Sequence, residues 1–152
     1  MNHKTIFKSL KEYILIILLA LGFLFIFHSY VFARVDVIGP SMQPTLNNKD
    51  ILFVEKISTE IGHINRGEIV IFNSNNENND NYIKRVIGIA DDKINIRDGK
   101  VYLNGQLLSE NYLPQGTITE CNSSNTDYVI PEGYIFVLGD NRENSTDSRI
   151  LG

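Results

Sequence analysis

The chain has 152 residues, of which 43% are hydrophobic and 21% charged, so it is long enough for one folded domain and is not disordered throughout. Because 18 acidic residues outnumber 14 Lys and Arg, the net charge of −4 argues against nucleic-acid binding through a basic surface. The single cysteine, Cys121, excludes an intrachain disulfide framework, and the three histidines are scattered, so we expect neither a metal site nor a cofactor.

The N-terminal segment predicts a membrane-spanning helix. Residues 13–33 carry no charge and are bounded by Glu12 and Arg34. A helix of this length spans roughly 31 Å, which matches a bilayer hydrocarbon core of about 30 Å. Lysines precede the span, which places the N-terminus in the cytoplasm by the positive-inside rule. We therefore predict a cytoplasmic N-terminus over residues 1–12, a single-pass transmembrane anchor over 13–33 in the cell membrane, and an extracytoplasmic domain over 34–152.

Two other interpretations of the apolar segment remain open. A cleaved signal peptide also begins with basic residues and continues with an apolar stretch, and Val31-Phe32-Ala33 resembles a cleavage site. The apolar segment is longer than the usual h-region of about 7–15 residues, however. The other interpretation is a core helix of a soluble protein, but the segment has no polar face that would make it amphipathic. We favour the retained anchor.

The rest of the chain predicts a mainly β domain. Asp98-Gly99 and Asn104-Gly105 separate apolar runs and are typical of tight hairpin turns, while residues 73–81 are wholly polar and indicate a solvated loop. The expected fold is one transmembrane helix followed by a single β domain, built as a barrel or as curved sheets. The predicted strands are rich in Val, Ile, Phe and Tyr and cover residues 35–38, 51–56, 68–72, 82–89, 93–97, 101–103 and 134–138.

The first segment that could carry chemistry is Gly-Pro-Ser-Met-Gln-Pro-Thr-Leu at residues 39–46. If the strand that begins at Val35 continued this far, its period of two would place Gly39 and Ser41 at the end of one apolar face. Such a serine would suit a nucleophile that an extended peptide approaches. Taken alone, the segment favours the simpler interpretation, which is a proline-bounded turn with an ordinary surface serine.

Two further segments are unusual in their polarity. Lys84 and Arg85 are adjacent in a predicted strand and point to opposite faces, so one of them must face the packed side unless the strand lies at an edge. A buried lysine loses its charge readily and can act as a general base, whereas in an edge strand both side chains would reach solvent. Residues 139–149 form a polar loop that is either a self-bonded turn or the wall of an active site.

Together the three segments resemble the bacterial type I signal peptidases, which are membrane-anchored serine–lysine leader peptidases. The matching residues are Ser-Met-Gln-Pro-Thr-Leu at 41–46, Lys-Arg-Val-Ile-Gly at 84–88, and Gly-Asp-Asn-Arg followed by Asn-Ser-Thr-Asp-Ser-Arg through position 149. Each motif alone is weak. All three in this order, behind a membrane span, are specific to that family.

The resemblance implies a role for each matched residue. Ser41 would be the acylating nucleophile, Lys84 the general base, and Ser145 the residue that hydrogen-bonds to the lysine amine. The backbone N–H of Ser41 would meet the oxyanion without help from a side chain two residues earlier, because that residue is Gly39. The supporting residues would be Arg85, Asp140, Asn141 and Arg142, with Asp147 paired to Arg149. The substrate pockets would be lined by Val35, Val37, Met42, Leu46, Tyr82 and Ile83.

The implied function is a serine endopeptidase that cleaves N-terminal signal peptides from exported preproteins, as a monomer with the lipid bilayer as its second partner. A serine hydroxyl needs an adjacent base at neutral pH, and a lysine can serve only if a dry site lowers its pKa. Relatives continue past Arg149 with a glycine and a final strand, and this sequence stops at Gly152. The alternative is therefore a truncated or non-catalytic homologue that binds signal peptides without cleaving them.

Overall fold

The structure, a computed structural model, describes residues 3–56, 58, 62–74, 80–120 and 127–151, so Cys121 lies outside the described residues. The chain divides into two units, one formed by Met1–Val35 with Leu52–Gly62 and the other by Asp36–Ile51 with His63–Gly152. The elements in chain order are α1 (His3–Val31), β1 (Phe32–Asp36), β2 (Ile51–Glu55), β3 (Ile69–Asn73), β4 (Asn81–Gly88), β5 (Lys93–Arg97), β6 (Lys100–Leu103), β7 (Gln106–Leu107), β8 (Tyr128–Val129), β9 (Phe136–Leu138) and α2 (Ser148–Leu151).

The first unit consists of α1 and most of the two-stranded sheet β1–β2. The helix begins well before the predicted residue 13 and ends at Val31, because Phe32 and Ala33 already belong to β1. The side chains of residues 11–25 are all exposed. Among the residues described with their side chains, no helix is both long enough and apolar enough to cross a membrane.

The second unit contains a three-stranded sheet in the order β3-β4-β9 and a four-stranded sheet in the order β7-β6-β5-β8, with every pairing antiparallel. Both predicted hairpin turns are confirmed. Asp98-Gly99 joins β5 to β6 with φ values of 51° and 72°, and Asn104-Gly105 joins β6 to β7 with φ values of 52° and 80°. Two successive positive φ angles match the twist of the flanking strands, which is why Asn-Gly and Asp-Gly predict hairpins so well.

The hydrophobic core of the second unit joins these two sheets. Its buried members are Ile87, Ile94, Val101, Ile130, Phe136 and Leu138. Gly88 belongs to the same contact, because a Cβ at this position would lie 2.5 Å from Ile130 Cδ1. Since fully burying a side chain of this size contributes about 1.5–3 kcal/mol, the cluster fixes the C-terminal end of β4 firmly in the unit.

The mainly β prediction is confirmed for the second unit, with three corrections. The strand predicted over residues 35–38 ends at Asp36, because Gly39 takes a positive φ of 92° and turns the chain, so Ser41 does not continue a strand face. The described strands form three separate sheets, and closure into one barrel is not seen among them. The interpretation of residues 82–89 as an edge strand is wrong, because β4 lies between β3 and β9.

Candidate active site

The three segments selected from the sequence meet in one groove of the second unit. Its volume is about 400 Å³. One wall comes from the turn that carries Ser41, the second from the start of β4, and the third from the loop after β9. The lining residues are Val37, Ile38, Gly39, Pro40, Ser41, Met42, Asn81, Tyr82, Ile83, Lys84, Glu143, Asn144, Ser145 and Thr146.

The Ser41 turn, residues 40–46, is a short local structure that is held at both ends. The N–H of Gln43 donates to the Pro40 carbonyl at 3.0 Å, and the N–H of Leu46 donates to the Met42 carbonyl at 2.9 Å. Met42 is 1% exposed and anchors the turn in the unit. In the described part of the chain the Ser41 N–H has no hydrogen-bond acceptor, so it is available to a ligand in the groove.

Lys84 brings a buried amine to this hydroxyl. The residue is only 3% exposed, and its Nζ donates to Ser41 Oγ at 3.0 Å and to the Ile83 carbonyl at 3.0 Å. The Tyr82 ring covers the amine with its centroid 5.1 Å from Nζ. Burial lowers the pKa of Lys84, and the negative charge of Asp147 opposes that shift in part. The site therefore favours the neutral amine more strongly than water does.

Arg85 points to the other face of β4 and has a structural environment. Its Nε and Nη2 donate to the two carboxylate oxygens of Asp140 at 2.9 and 2.7 Å, and its Nη1 donates to the Gly67 carbonyl at 2.8 Å. The guanidinium also lies 4.0 Å from the centroid of the Tyr112 ring. A bidentate ion pair of this kind is rigid as well as strong, so it ties the residue next to Lys84 to the loop after β9.

The loop after β9 is stabilised by two buried ions. Asp147 is fully buried, forms an ion pair with Arg149 at 2.8 Å, and accepts the Gly139 N–H at 2.9 Å. Burial alone would raise the pKa of Asp147, but these hydrogen bonds outweigh it and the pKa is lowered. The Arg142 side chain is also fully buried and donates to the Gly139 carbonyl at 2.9 Å. Both ions thus hold Gly139.

Ser145, which the resemblance assigns to the lysine amine, lines the groove. Its Oγ is buried, and the hydrogen bonds of the Lys84 amine go to Ser41 and to Ile83. The Ser145 hydroxyl contributes instead to the lowered pKa of Asp147. Gly139 fits closely against it, since a Cβ at position 139 would collide with the Ser145 hydroxyl and would lie 2.6 Å from the Ser41 carbonyl oxygen. Ser145 is therefore placed beside the pair of Ser41 and Lys84 without being bonded to it.

Only some of the residues predicted to bind substrate line the groove. Val37, Met42, Tyr82 and Ile83 line the groove. Leu46 is half-buried and is not part of the lining, because the turn carries it past the groove. Val35 lies in β1, within the first unit, and is not part of the lining.

Several residues that support the site had no assigned role in the sequence analysis. The Thr45 hydroxyl, for example, donates to Asp140. Glu110 accepts from Arg142, although 32 residues separate the two. No local pattern marks such partners. The other groups of this kind are Tyr112, which donates to Glu110, and Thr119, which accepts from Arg142.

A buried amine in contact with a serine hydroxyl at the edge of an open groove is the arrangement that a serine–lysine hydrolase requires. Comparison with known proteins agrees with this class. The family described as signal peptidase, peptidase S26, matches residues 10–152. The chain belongs to this family, and its enzyme class is that of a serine peptidase hydrolase.

Individual relatives cover most of both chains. Signal peptidase IB of Staphylococcus aureus (strain N315) is 37% identical over 159 residues, which cover 95% of this chain and 82% of that protein. Signal peptidase I of Bacillus licheniformis is 36% identical, with 93% and 79% covered. The crystal structure of a signal peptidase I from Enterococcus faecalis V583 is 35% identical and aligns with a TM-score of 0.47 over 59% of this chain and 86% of that one.

Proposed function

We propose that this chain is a membrane-anchored serine endopeptidase that removes N-terminal signal peptides from exported preproteins, with Ser41 as the nucleophile and Lys84 as the general base. The observation that carries the proposal is the distance of 3.0 Å between Lys84 Nζ and Ser41 Oγ, on an amine that is 3% exposed. Membership in the signal peptidase family supports the substrate class.

The reaction follows from this pair. The neutral Lys84 amine takes the proton of the Ser41 hydroxyl while Oγ attacks the scissile carbonyl, and the ammonium then protonates the leaving amine. An ester with Ser41 remains, and a water molecule activated by the same amine hydrolyses it. The Ser41 N–H, free of acceptors among the described residues, would donate to the oxyanion. One such donor typically contributes about 2.7–4 kcal/mol to the transition state.

The groove supports the binding of an extended peptide. It is bordered by the start of β4 on one side and by the chain that leads to Ser41 on the other. Main-chain groups along such a border can hydrogen-bond to a peptide in the extended conformation. The buried apolar side chains of Val37, Met42 and Ile83 leave room for small groups on the peptide, which supports a preference for small residues before the scissile bond.

We also propose that α1 is the membrane anchor, with the N-terminus in the cytoplasm, the groove outside, and one chain sufficient for activity. Residues 13–33 carry no charge, and the side chains of residues 11–25 lie exposed on the helix. Exposed apolar side chains in such number are unfavourable in water. Because signal peptides also enter the bilayer, an anchor would raise the effective concentration of substrate at the groove.

Cleavage of a preprotein in detergent tests the proposal. The full chain should cleave after a small residue, whereas Ser41→Ala and Lys84→Ala should lower kcat at least about thousandfold, because neither half of the pair works alone. Ser109→Ala and Lys100→Ala, which change the same residue types at exposed positions, serve as matched controls and should keep the activity.

Each outcome of this experiment supports or refutes the proposal. Equal processing by the wild type, Ser41→Ala and Lys84→Ala would show that these residues do not carry the reaction. A wild-type chain that binds the preprotein without cleaving it would support the non-catalytic homologue instead.

A further inference from the structure

Thr45 lies near the end of the Ser41 turn and is not part of the groove lining. Its hydroxyl donates to Oδ2 of Asp140 at 2.5 Å. Asp140 is 1% exposed, and the same carboxylate accepts two hydrogen bonds from Arg85. One buried carboxylate therefore joins the turn that carries Ser41 to the strand that carries Lys84.

The other links between the turn and the loop after β9 go through the backbone of the turn. The Asn141 N–H donates to the Ser41 carbonyl at 3.0 Å, and Asn141 Nδ2 donates to the Pro40 carbonyl at 3.2 Å. Only Thr45 contributes a side chain of the turn to these links among the described residues. Its acceptor is charged, which makes this bond stronger than an ordinary hydroxyl bond.

We infer that Thr45 is a positioning residue, whose hydroxyl holds Ser41 Oγ against the Lys84 amine through Asp140 and Arg85. The inference rests on the proposed function, since it assigns Thr45 a part in that reaction. The pair works only when nucleophile and base are aligned, and a misplacement of about 1 Å can cost about a hundredfold in rate. Loss of the Thr45 hydroxyl would remove the side-chain link of the turn to Asp140 and leave the ion pair of Asp140 and Arg85 in place.

The first test compares Thr45→Val, which keeps the shape and removes the hydroxyl, with Thr45→Ser, which keeps the hydroxyl. Thr117→Val is the matched control, because the Thr117 hydroxyl bonds only locally to the Pro114 carbonyl at 2.8 Å. We expect Thr45→Val to lower kcat about tenfold with KM within about twofold, because alignment is lost and the groove lining is unchanged. Thr45→Ser and Thr117→Val should stay within about twofold of the wild type.

The second test does not depend on cleavage. The rate at which acetic anhydride labels Lys84 is measured by mass spectrometry across the pH range, and its midpoint reports the titration of the amine. Thr45→Val should move this midpoint upward, because the amine loses the Ser41 hydroxyl and gains water. Thr45→Ser and Thr117→Val should follow the wild type.

The two tests separate the two proposals. If the wild type cleaves no preprotein, the proposed function fails, and the labelling midpoint still decides whether Thr45 positions the pair. An unchanged kcat and an unchanged midpoint in Thr45→Val would overturn the inference. So would equal losses in Thr45→Val and Thr45→Ser, because the hydroxyl would then not be the group that matters.

Discussion

Replacing Gly139 by Ala should damage the candidate active site through a purely steric effect. The φ angle of Gly139 is one that other residues adopt, so the backbone can accept alanine. The new Cβ would lie 2.6 Å from the Ser41 carbonyl oxygen and would also collide with the Ser145 hydroxyl. Because ordinary contact between such atoms begins at roughly 3.4 Å, the Ser41 turn or the loop must move by about 0.8 Å.

That displacement sets the expected loss of activity and of stability. A shift approaching 1 Å at the nucleophile should lower kcat/KM for preprotein cleavage by about 30- to 100-fold. Overpacking at a buried position should also lower the free energy of unfolding by about 1–3 kcal/mol. Steady-state cleavage and chemical denaturation in detergent measure the two effects separately.

The control is Gly105→Ala in the turn between β6 and β7. Gly105 has a φ of 80° and no neighbouring atom within 4 Å of an added Cβ, so alanine there strains the backbone without displacing anything. We expect a loss of about 1 kcal/mol in stability with unchanged kcat/KM. If Gly139→Ala cleaved within about threefold of the wild type, the close contact with Ser41 would not be what positions the nucleophile.

Two further predictions concern the turn after β4. Arg66 donates two hydrogen bonds to Asp92 and lowers its pKa to about 2, so the carboxylate stabilises the fold above about pH 4 and the contribution is lost as the pH falls through the folded value. Since Arg66 is half exposed, Asp92→Asn should lose only about 1–2 kcal/mol of unfolding free energy at pH 7. Between pH 5 and pH 2 the unfolding free energy of the variant, measured by denaturation, should fall less than that of the wild type. Identical falls in the two proteins would contradict this. Asp91 has a φ of 69°, so Asp91→Gly should raise the unfolding free energy by about 0.5–1 kcal/mol, and a lower thermal midpoint would count against it.

Local features of the structure could be predicted from the sequence because they depend on neighbouring residues. The apolar run in α1, the two hairpin turns at 98–99 and 104–105, and every predicted strand have counterparts in the structure. The short strand β8 was missed because two residues hold no periodic pattern, and β7, which also has two residues, was implied only by the hairpin turn before it. The end of β1 was missed because Gly39 turns the chain where the alternation of side chains had not yet stopped.

The residues of the candidate site could likewise be predicted only in part from the sequence. The motifs named Ser41 and Lys84 by resemblance, but a strand pattern could not decide whether Lys84 or Arg85 would face the serine. Because β4 lies between two strands, both Lys84 and Arg85 are buried. The elements that pack on each face of the sheet then decide which partner each side chain meets.

The sequence by itself determined which segments turn, which extend, and to which family of proteins the chain belongs. Tertiary structure alone decided the contacts that join Lys84 to Ser41 across 43 residues, Arg85 to Asp140 across 55, and Thr45 to Asp140 across 95. Such pairs have no local signal, because their distance depends on how the sheet and two loops pack together. For the same reason, only the folded chain shows that Gly139 has no room for a side chain beside Ser145 and Ser41.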